Sequence, residues 1–189
     1  MRRAPRDRFR LESPCPALES LPRLRSAPLV PPLHVVLVEP EIPQNTGNVA
    51  RLCAATASRL HLVRPIAFQI DERAVRRAGL DYWPLVDVSV HDDFDAFLRA
   101  MPPESPPPML FSARAERSFL DAPWAAGAAL VFGRESVGLP DALLRRFAGR
   151  VWGVPMAGAV RSLNLANAAS VVLFEALRAL GALRPAILE

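Results

Sequence analysis

The feature that most constrains the fold is a short apolar run at residues 33–38. Such a run is typical of a strand that is covered on both faces of a sheet. Further strands are predicted at 60–63, 86–90, 109–113, 129–132 and 151–154, and helices at 47–57, 71–77, 92–100, 140–147 and 163–180. This alternation predicts an α/β fold with a mainly parallel sheet and helices on both faces.

Several helix boundaries are predicted from single residues. An aspartate is expected to cap the helix at 92–100, and Pro140 to take the first position of the next helix, where no N–H is needed. Gly79 is expected to end the short helix at 71–77. Ser162 is expected to cap the helix that begins at Leu163.

The first 32 residues differ in composition from the rest. They hold seven arginines against three acidic residues, a difference equal to the formal net charge of +4, together with seven prolines and no apolar period. Residues 1–32 are therefore expected to be a disordered leader or a wrongly assigned start, and the alternative is a basic arm that binds nucleic acid. Residues 33–183 are predicted to form one domain, followed by a tail at 184–189.

Several classes of protein are excluded. No apolar stretch approaches the roughly 20 residues of a membrane span, and no signal peptide is visible, so a cytoplasmic protein without a membrane partner is expected. Cys15 and Cys53 suggest neither a disulfide nor a metal motif. Glycine-rich dinucleotide and P-loop motifs are absent. His34 and His61 are interpreted as core histidines, and no metal is expected.

Polar loops follow three predicted strands at their carboxyl ends, at residues 39–51, 132–140 and 154–168. Ligands of open α/β sheets bind at this edge, so the loops are expected to form one site if their strands are neighbours. The groups that they offer are amides, carboxylates, guanidiniums and glycine N–H groups. These belong to Asn45, Asn48, Asn164, Asn167, Glu39, Glu135, Arg51, Arg134, Arg161, Gly47, Gly133 and Gly138. The set suits a polar organic ligand and a phosphate-bearing partner.

Four ordered segments carry a family resemblance. They are EPEIPQNTGNVARLCAAT, RRAGLDYW, FGRESVGLP and VPMAGAVRSLNLANAASVVLFEAL. They resemble motifs of the SpoU branch of the SPOUT methyltransferases, and within it the small tRNA (cytidine/uridine-34) 2′-O-methyltransferases. The resemblance extends over about residues 33–183. It implies a C-terminal trefoil knot, S-adenosylmethionine (SAM) bound in that knot, and a homodimer whose site takes residues from both subunits.

The resemblance also implies roles for individual residues. Arg51, Asn45 and Glu135 correspond to the catalytic residues of the family, although a solvated helix arginine, a turn asparagine and a surface glutamate are the ordinary alternatives. The residues that correspond to SAM-binding positions are Ala113, Gly133, Val154, Met156, Ser162 and Asn164.

The expected reaction is an in-line methyl transfer to a ribose 2′-hydroxyl, which requires alignment and removal of one proton but no metal. The family arginine has been assigned to proton removal. A guanidinium keeps its own proton, so we expect Arg51 to hold a phosphate and stabilise the developing alkoxide instead. The predicted partner is a tRNA anticodon stem-loop, and the irregular segment after the first strand is expected to hold the nucleotide.

Three alternatives remain open from the sequence. The first is methylation of another tRNA or rRNA position. The second is a protein that binds SAM or RNA without catalysis. The third is an unrelated nucleotide-binding module. The joint presence of Arg51, Asn45 and Glu135 argues against the second.

Overall fold

The computed structural model describes residues 24–68, 85–183 and 187–188, so the predicted helix at 71–77 lies outside it. The strands are β1 Leu24–Arg25, β2 His34–Val38, β3 Arg59–Val63, β4 Val88–His91, β5 Met109–Phe111, β6 Ala129–Phe132, β7 Val151–Trp152 and β8 Ile187–Leu188. The helices are α1 Pro43–Thr56, α2 Phe94–Ala100, α3 Asp141–Arg146 and α4 Leu165–Ala179. Within the described ranges, no helix has the length and hydropathy that crossing a bilayer demands.

Six strands form one parallel sheet in the order β4-β3-β2-β6-β5-β7. At its centre, β2 pairs with β3 on one side and with β6 on the other. The helix after β2 packs on one face of the sheet and the helix after β6 on the opposite face. The carboxyl ends of β2 and β6 therefore border the crevice at which open α/β sheets bind ligands.

Alternate residues of β2 point to two separate apolar clusters. Val35 and Leu37 belong to a cluster that includes α1 and α4, whereas Val36 and Val38 belong to one that includes α2. All four side chains are buried, because each pleat of a central parallel strand is covered by helices. The predicted α/β architecture, with helices on both faces, is confirmed.

The prediction that the first helix begins at residue 47 is wrong, because α1 spans Pro43–Thr56. Pro43 lies at the start of the helix, where its fixed φ is favourable. Asn45 and Gly47 are poor helix formers, but both are buried in α1, so packing outweighs their propensity. Arg51 consequently lies in the third turn of the helix rather than in its first or second.

The cap of the last helix also differs from the prediction. Asn164 is the N-cap of α4, and its side-chain oxygen accepts hydrogen bonds from the N–H groups of Ala166 and Asn167, at 3.0 and 3.4 Å. Ser162 therefore does not cap this helix. Both residue types suit the position, so local propensity did not distinguish them.

Other boundaries shift by a few residues. Asp93 caps α2, and Pro140 occupies the N-cap position of α3 rather than its first turn. β5 and β7 end at Phe111 and Trp152, which leaves Ala113 and Val154 in the loops that follow them.

A second, two-stranded sheet joins segments near the two ends of the chain. β1 pairs antiparallel with β8, in the register Leu24 with Leu188 and Arg25 with Ile187. β1 falls in the predicted leader and β8 in the predicted tail. The assignment of 1–32 and 184–189 as segments outside the domain stays a prediction.

Three histidines form a hydrogen-bonded row across β2, β3 and β4. His34 Nδ1 lies 2.8 Å from His61 Nε2, and His61 Nδ1 lies 2.9 Å from His91 Nε2. The rings stack on one another, and Phe97 of α2 contacts the last two edge-on. The interpretation of His34 and His61 as satisfied core histidines is thus confirmed, and His91 extends the row.

The row is held in its neutral form by its surroundings. Burial, aided by the Arg59 guanidinium, lowers the pKa of His34 to about 4. Burial, aided by the neighbouring histidines, lowers the pKa of His61 to about 3. Burial also lowers the pKa of His91, although Asp92 opposes that shift.

These shifts predict a loss of stability in acid. In the unfolded chain a histidine has a pKa near 6.5, whereas His34 in the folded protein stays neutral down to about pH 4. Below pH 6.5 the unfolded chain therefore binds more protons than the folded protein. We expect the free energy of unfolding to fall by roughly 2 kcal/mol for each of His34 and His61 between neutral pH and about pH 5. Urea unfolding across this range measures the loss.

The control is a variant in which His34, His61 and His91 are all replaced by leucine, which should flatten the pH dependence. NMR of the histidine rings gives a second readout that does not require this variant to fold. Protonated His34 or His61 rings in the native wild type at about pH 5 would contradict the prediction.

Candidate functional site

A cavity of about 340 Å³ opens beyond the carboxyl ends of β5, β6 and β7. Its apolar side is formed by Phe111 and Phe132, whose rings stack with centroids 5.3 Å apart, and by Leu165 and Val172 of α4. Backbone and polar groups from the loops after the three strands complete its wall. The size and the mixed lining suit a nucleoside-sized ligand with an apolar ring system and polar substituents.

The structure brings most of the predicted cofactor residues to this cavity. Those that line it are Ala113, Gly133, Val154, Met156 and Ser162, and Glu135 lines it as well. Three other predicted residues, Asn45, Arg51 and Asn164, are not part of the lining. Two of the three predicted loops, 132–140 and 154–168, therefore meet at the cavity, although β7 is separated from β6 by β5, whereas no residue of 39–51 lines it.

Gly133 is a point of close approach between two parts of the cavity wall. The loop after it turns back on itself, since Arg134 and Gly138 exchange two backbone hydrogen bonds at 3.2 and 2.9 Å. A Cβ atom at residue 133 would lie closer than 3.0 Å to the backbone of Gly138 and Leu139. Only glycine allows this crossing, which holds the loop above the cavity.

Three of the predicted site residues form one hydrogen-bonded chain beside the cavity. Asn164 Nδ2 donates to Asn45 Oδ1 at 3.0 Å, and Asn45 Nδ2 donates to Glu135 Oε1 at 2.9 Å. The side-chain oxygen of Asn164 caps α4, so its NH2 group is the one that donates to Asn45. The Glu135 carboxylate only accepts, so Asn45 must direct its own NH2 group toward Glu135. Both contacts therefore impose the same orientation on the Asn45 amide. Asn45 is 5% exposed, and its position is thereby fixed.

Glu135 joins the loop after β6 to the segment after β2. Its carboxylate also accepts hydrogen bonds from the backbone N–H groups of Glu41, at 2.9 Å, and Ile42, at 3.3 Å. In the reverse direction, the Glu41 carboxylate accepts from the N–H and hydroxyl of Ser136, at 3.1 and 2.9 Å. The two segments thus hold each other through reciprocal carboxylate contacts.

Arg51 lies on the outer face of α1. Apart from Pro43 at its start, the exposed residues of that helix recur at helical spacing and form one stripe, Gln44, Asn48, Arg51 and Ala55. On α4, which packs against α1, the exposed stripe is Asn167, Val171, Phe174 and Arg178. Val171 and Phe174 are large apolar side chains that are 41% and 47% exposed.

Sequence reasoning missed several residues of the cavity. Phe111 and Phe132 end their strands and were placed in predicted strands but not among the predicted site residues, although the position of Phe132 at a carboxyl end was a usable signal. Arg114 also lines the cavity, where it donates to the Asp141 carboxylate at 2.8 Å and the Leu139 carbonyl at 3.3 Å. These pairings depend on tertiary contacts that no local pattern contains.

The fold and cavity define an α/β protein with a nucleoside-sized site at the carboxyl edge of a parallel sheet. The chain belongs to the SpoU rRNA methylase family, whose sequence model matches residues 32–174. It is 49% identical over 150 residues to the tRNA (cytidine(34)-2'-O)-methyltransferase of Burkholderia pseudomallei, a match that covers 78% of this chain and 96% of the relative.

Two solved structures are similar in fold. One, described in connection with 2-OH methylation of C/U34 on tRNA, has 50% identity and a TM-score of 0.72 over 79% of this chain and 96% of that chain. The other is an AdoMet-bound rRNA methyltransferase from Sinorhizobium meliloti, with 25% identity and a TM-score of 0.67 over 82% of this chain and 62% of that chain.

The contacts of Glu135 predict a measurable stability effect. Glu135→Ala removes the acceptor for donors at Glu41, Ile42 and Asn45. Because these bonds are partly exposed to water, we expect the free energy of unfolding to fall by about 2 kcal/mol in total. Urea unfolding of the purified variant measures the change.

Glu116→Ala provides the matched control, since Glu116 is an exposed glutamate in the loop after β5. It should change the free energy of unfolding by less than about 0.5 kcal/mol. Equal losses in the two variants would show that Glu135 does not hold the two segments together.

Proposed function

We propose that this protein transfers a methyl group from SAM to the ribose 2′-hydroxyl of the wobble nucleotide, position 34, of tRNA. The observation that carries the proposal is the nucleoside-sized cavity beside the chain Asn164–Asn45–Glu135 in a member of the SpoU rRNA methylase family. Support for the position comes from the relative named tRNA (cytidine(34)-2'-O)-methyltransferase. The acceptor is a cytidine or a modified uridine.

The residues of the cavity fit SAM. Its apolar side, with Phe111 and Phe132, suits an adenine ring, and the backbone near Gly133 and Val154 offers polar groups for the ring edge and the ribose. Ala113, Gly133, Val154, Met156 and Ser162 would hold the cofactor. When bound, SAM supplies an electrophilic methyl group on a sulfonium.

Asn45 and Glu135 position the acceptor side of the site. The carboxylate of Glu135 is surrounded by donors from residues 41–45, which makes it an anchor for that segment rather than an acceptor for the ribose proton. Asn164 fixes the Asn45 amide from the other side. The consequence is a rigid support for the nucleotide at the start of α1.

Arg51 binds the RNA phosphate next to the reacting ribose and stabilises the alkoxide as the proton leaves. Its planar, permanently charged fork suits both tasks. Arg51 lies on the outer face of α1 and does not line the cavity of its own chain. In a dimer, Arg51 of one subunit would therefore reach the methyl donor in the cavity of the other subunit.

The proposed assembly is a homodimer that forms through α1 and α4. The exposed apolar side chains of Val171 and Phe174 lie on the outer face of α4, the helix that packs against α1. Burial of such side chains favours association. Family membership further supports a C-terminal trefoil knot. The proposed action on a tRNA anticodon stem-loop further supports a cytoplasmic location.

The proposed reaction is tested with radiolabelled SAM and tRNA. The wild type should incorporate label, and mass spectrometry of anticodon-loop fragments should place a 2′-O-methyl group at nucleotide 34. We expect Arg51→Lys to lower kcat/KM by roughly 100-fold, because a bidentate contact to phosphate and alkoxide is lost while the charge is kept.

Arg99→Lys is the matched control, since Arg99 is an exposed helix arginine on α2, and it should leave kcat/KM within about twofold. A methyl group at another position of tRNA or in rRNA would change the proposed substrate. Failure to label any RNA pool would instead favour a binding protein without catalysis.

The proposed dimer predicts a second effect. Phe174→Glu places a charge where an apolar contact is expected, so the dimer dissociation constant should rise by at least about tenfold and methyl transfer should fall in parallel. Light scattering coupled to size-exclusion chromatography measures the mass at several concentrations.

Leu120→Glu is the control for surface charge. Leu120 is a large apolar residue that is 59% exposed but lies in the turn Phe119–Asp121, which belongs to neither α1 nor α4. It should leave the mass and the activity unchanged. A monomeric wild type with full activity would contradict the proposed assembly.

A further inference from the structure

An ion pair joins the two sides of the site at a point that the proposed reaction does not use. Arg134 Nη2 lies 2.8 Å from Glu39 Oε2. Glu39 immediately follows β2 and Arg134 follows β6 by two residues, so the pair bridges the ends of the two neighbouring central strands. The side chains of Glu39 and Arg134 are 20% and 37% exposed, so this ion pair is shielded from water better than the other ion pairs between separate elements of the described ranges.

Glu39 is an unfavourable residue for its backbone position. Its φ is +54°, in the left-handed region that favours glycine, and its N–H donates to the Val63 carbonyl at 2.9 Å. This conformation turns the chain out of the sheet and into residues 40–42, which lead to α1. Strained residues of this kind persist where neighbouring contacts hold them, and the contact here is the Arg134 guanidinium.

Arg134 touches both the cavity and the segment after β2. It lines the cavity, and its backbone bonds to Gly138 close the loop that carries Glu135 and Ser136. Its Nε is buried and finds no hydrogen-bond acceptor among the described residues. A buried donor without an acceptor is unfavourable in free energy. A rearrangement of the loop that supplies an acceptor for Arg134 Nε would therefore be favourable.

We propose that the Glu39–Arg134 pair couples occupancy of the cavity to the position of residues 39–45, so that a bound methyl donor promotes binding of the RNA. In this inference, which rests on the proposed function, Arg134 is a positioning residue. A ligand in the cavity contacts the loop 133–138, and Arg134 transmits the change in that loop through Glu39 to the segment that carries Asn45.

The experiment measures tRNA affinity with and without saturating S-adenosylhomocysteine, an analogue of SAM that lacks the transferable methyl group. The wild type should bind tRNA at least about fivefold more tightly with the analogue. Arg134→Gln should reduce this ratio to below about twofold. Calorimetry with the analogue alone shows whether the analogue still binds to each variant.

Glu39→Gln tests the pair from its other side and keeps the inference testable if Arg134→Gln folds poorly. It should reduce the ratio in the same way, and the double variant should be no worse than either single variant, because the two residues act through each other. Additive losses, or an unchanged ratio in both single variants, would overturn the inference.

Arg114→Gln is the matched control. Arg114 also lines the cavity and also forms a 2.8 Å ion pair, but its partner is Asp141 of α3 rather than a residue of the segment after β2. It should keep the wild-type ratio, and an equal loss would show a general effect of cavity charge. A wild type that binds neither tRNA nor the analogue would refute the proposed function, whereas binding of both without coupling would refute only this inference.

Discussion

The parallel pairing of β2 with β6 is the constraint on which the site depends. The register of this pair sets Leu37 opposite Phe132, so the two strands end within one residue of each other. The chain leaves them on opposite faces, which opens a crevice between their carboxyl ends. Each contact between the segment after β2 and the loop after β6 follows from that juxtaposition.

Sequence patterns predicted the parts of this fold that depend on local periodicity. The strand 129–132 was placed with its observed bounds, and the other five strands of the parallel sheet within a few residues, because buried strands are apolar along their whole length. The two short strands β1 and β8 were not predicted. The beginning of α1 was missed since Asn45 and Gly47 suit loops, and only their burial against the rest of the protein shows why they are helical. Strand order and the Asn45–Glu135 bond join residues far apart in the chain, so no local pattern contains them.

The carboxylates around the crevice serve as anchors. Glu135 accepts from residues 41–45, Glu41 accepts from Ser136, and Glu39 is paired with Arg134. Each is already engaged by a donor in the described structure, so none stands ready as a base. For the proposed methyl transfer, this arrangement favours a reaction in which positive and dipolar groups stabilise the ribose oxygen, and water or the RNA receives the proton.

The crossing at Gly133 restricts how this cavity can change through mutation. Because any side chain at that position would meet the backbone of Gly138 and Leu139, every substitution there must rebuild the loop rather than reshape the binding surface. The exposed neighbours Ser136 and Val137 carry no such steric restriction. Directed evolution toward enlarged analogues of the proposed donor would therefore vary Val137, at the tip of the loop, and leave the base of the loop unchanged.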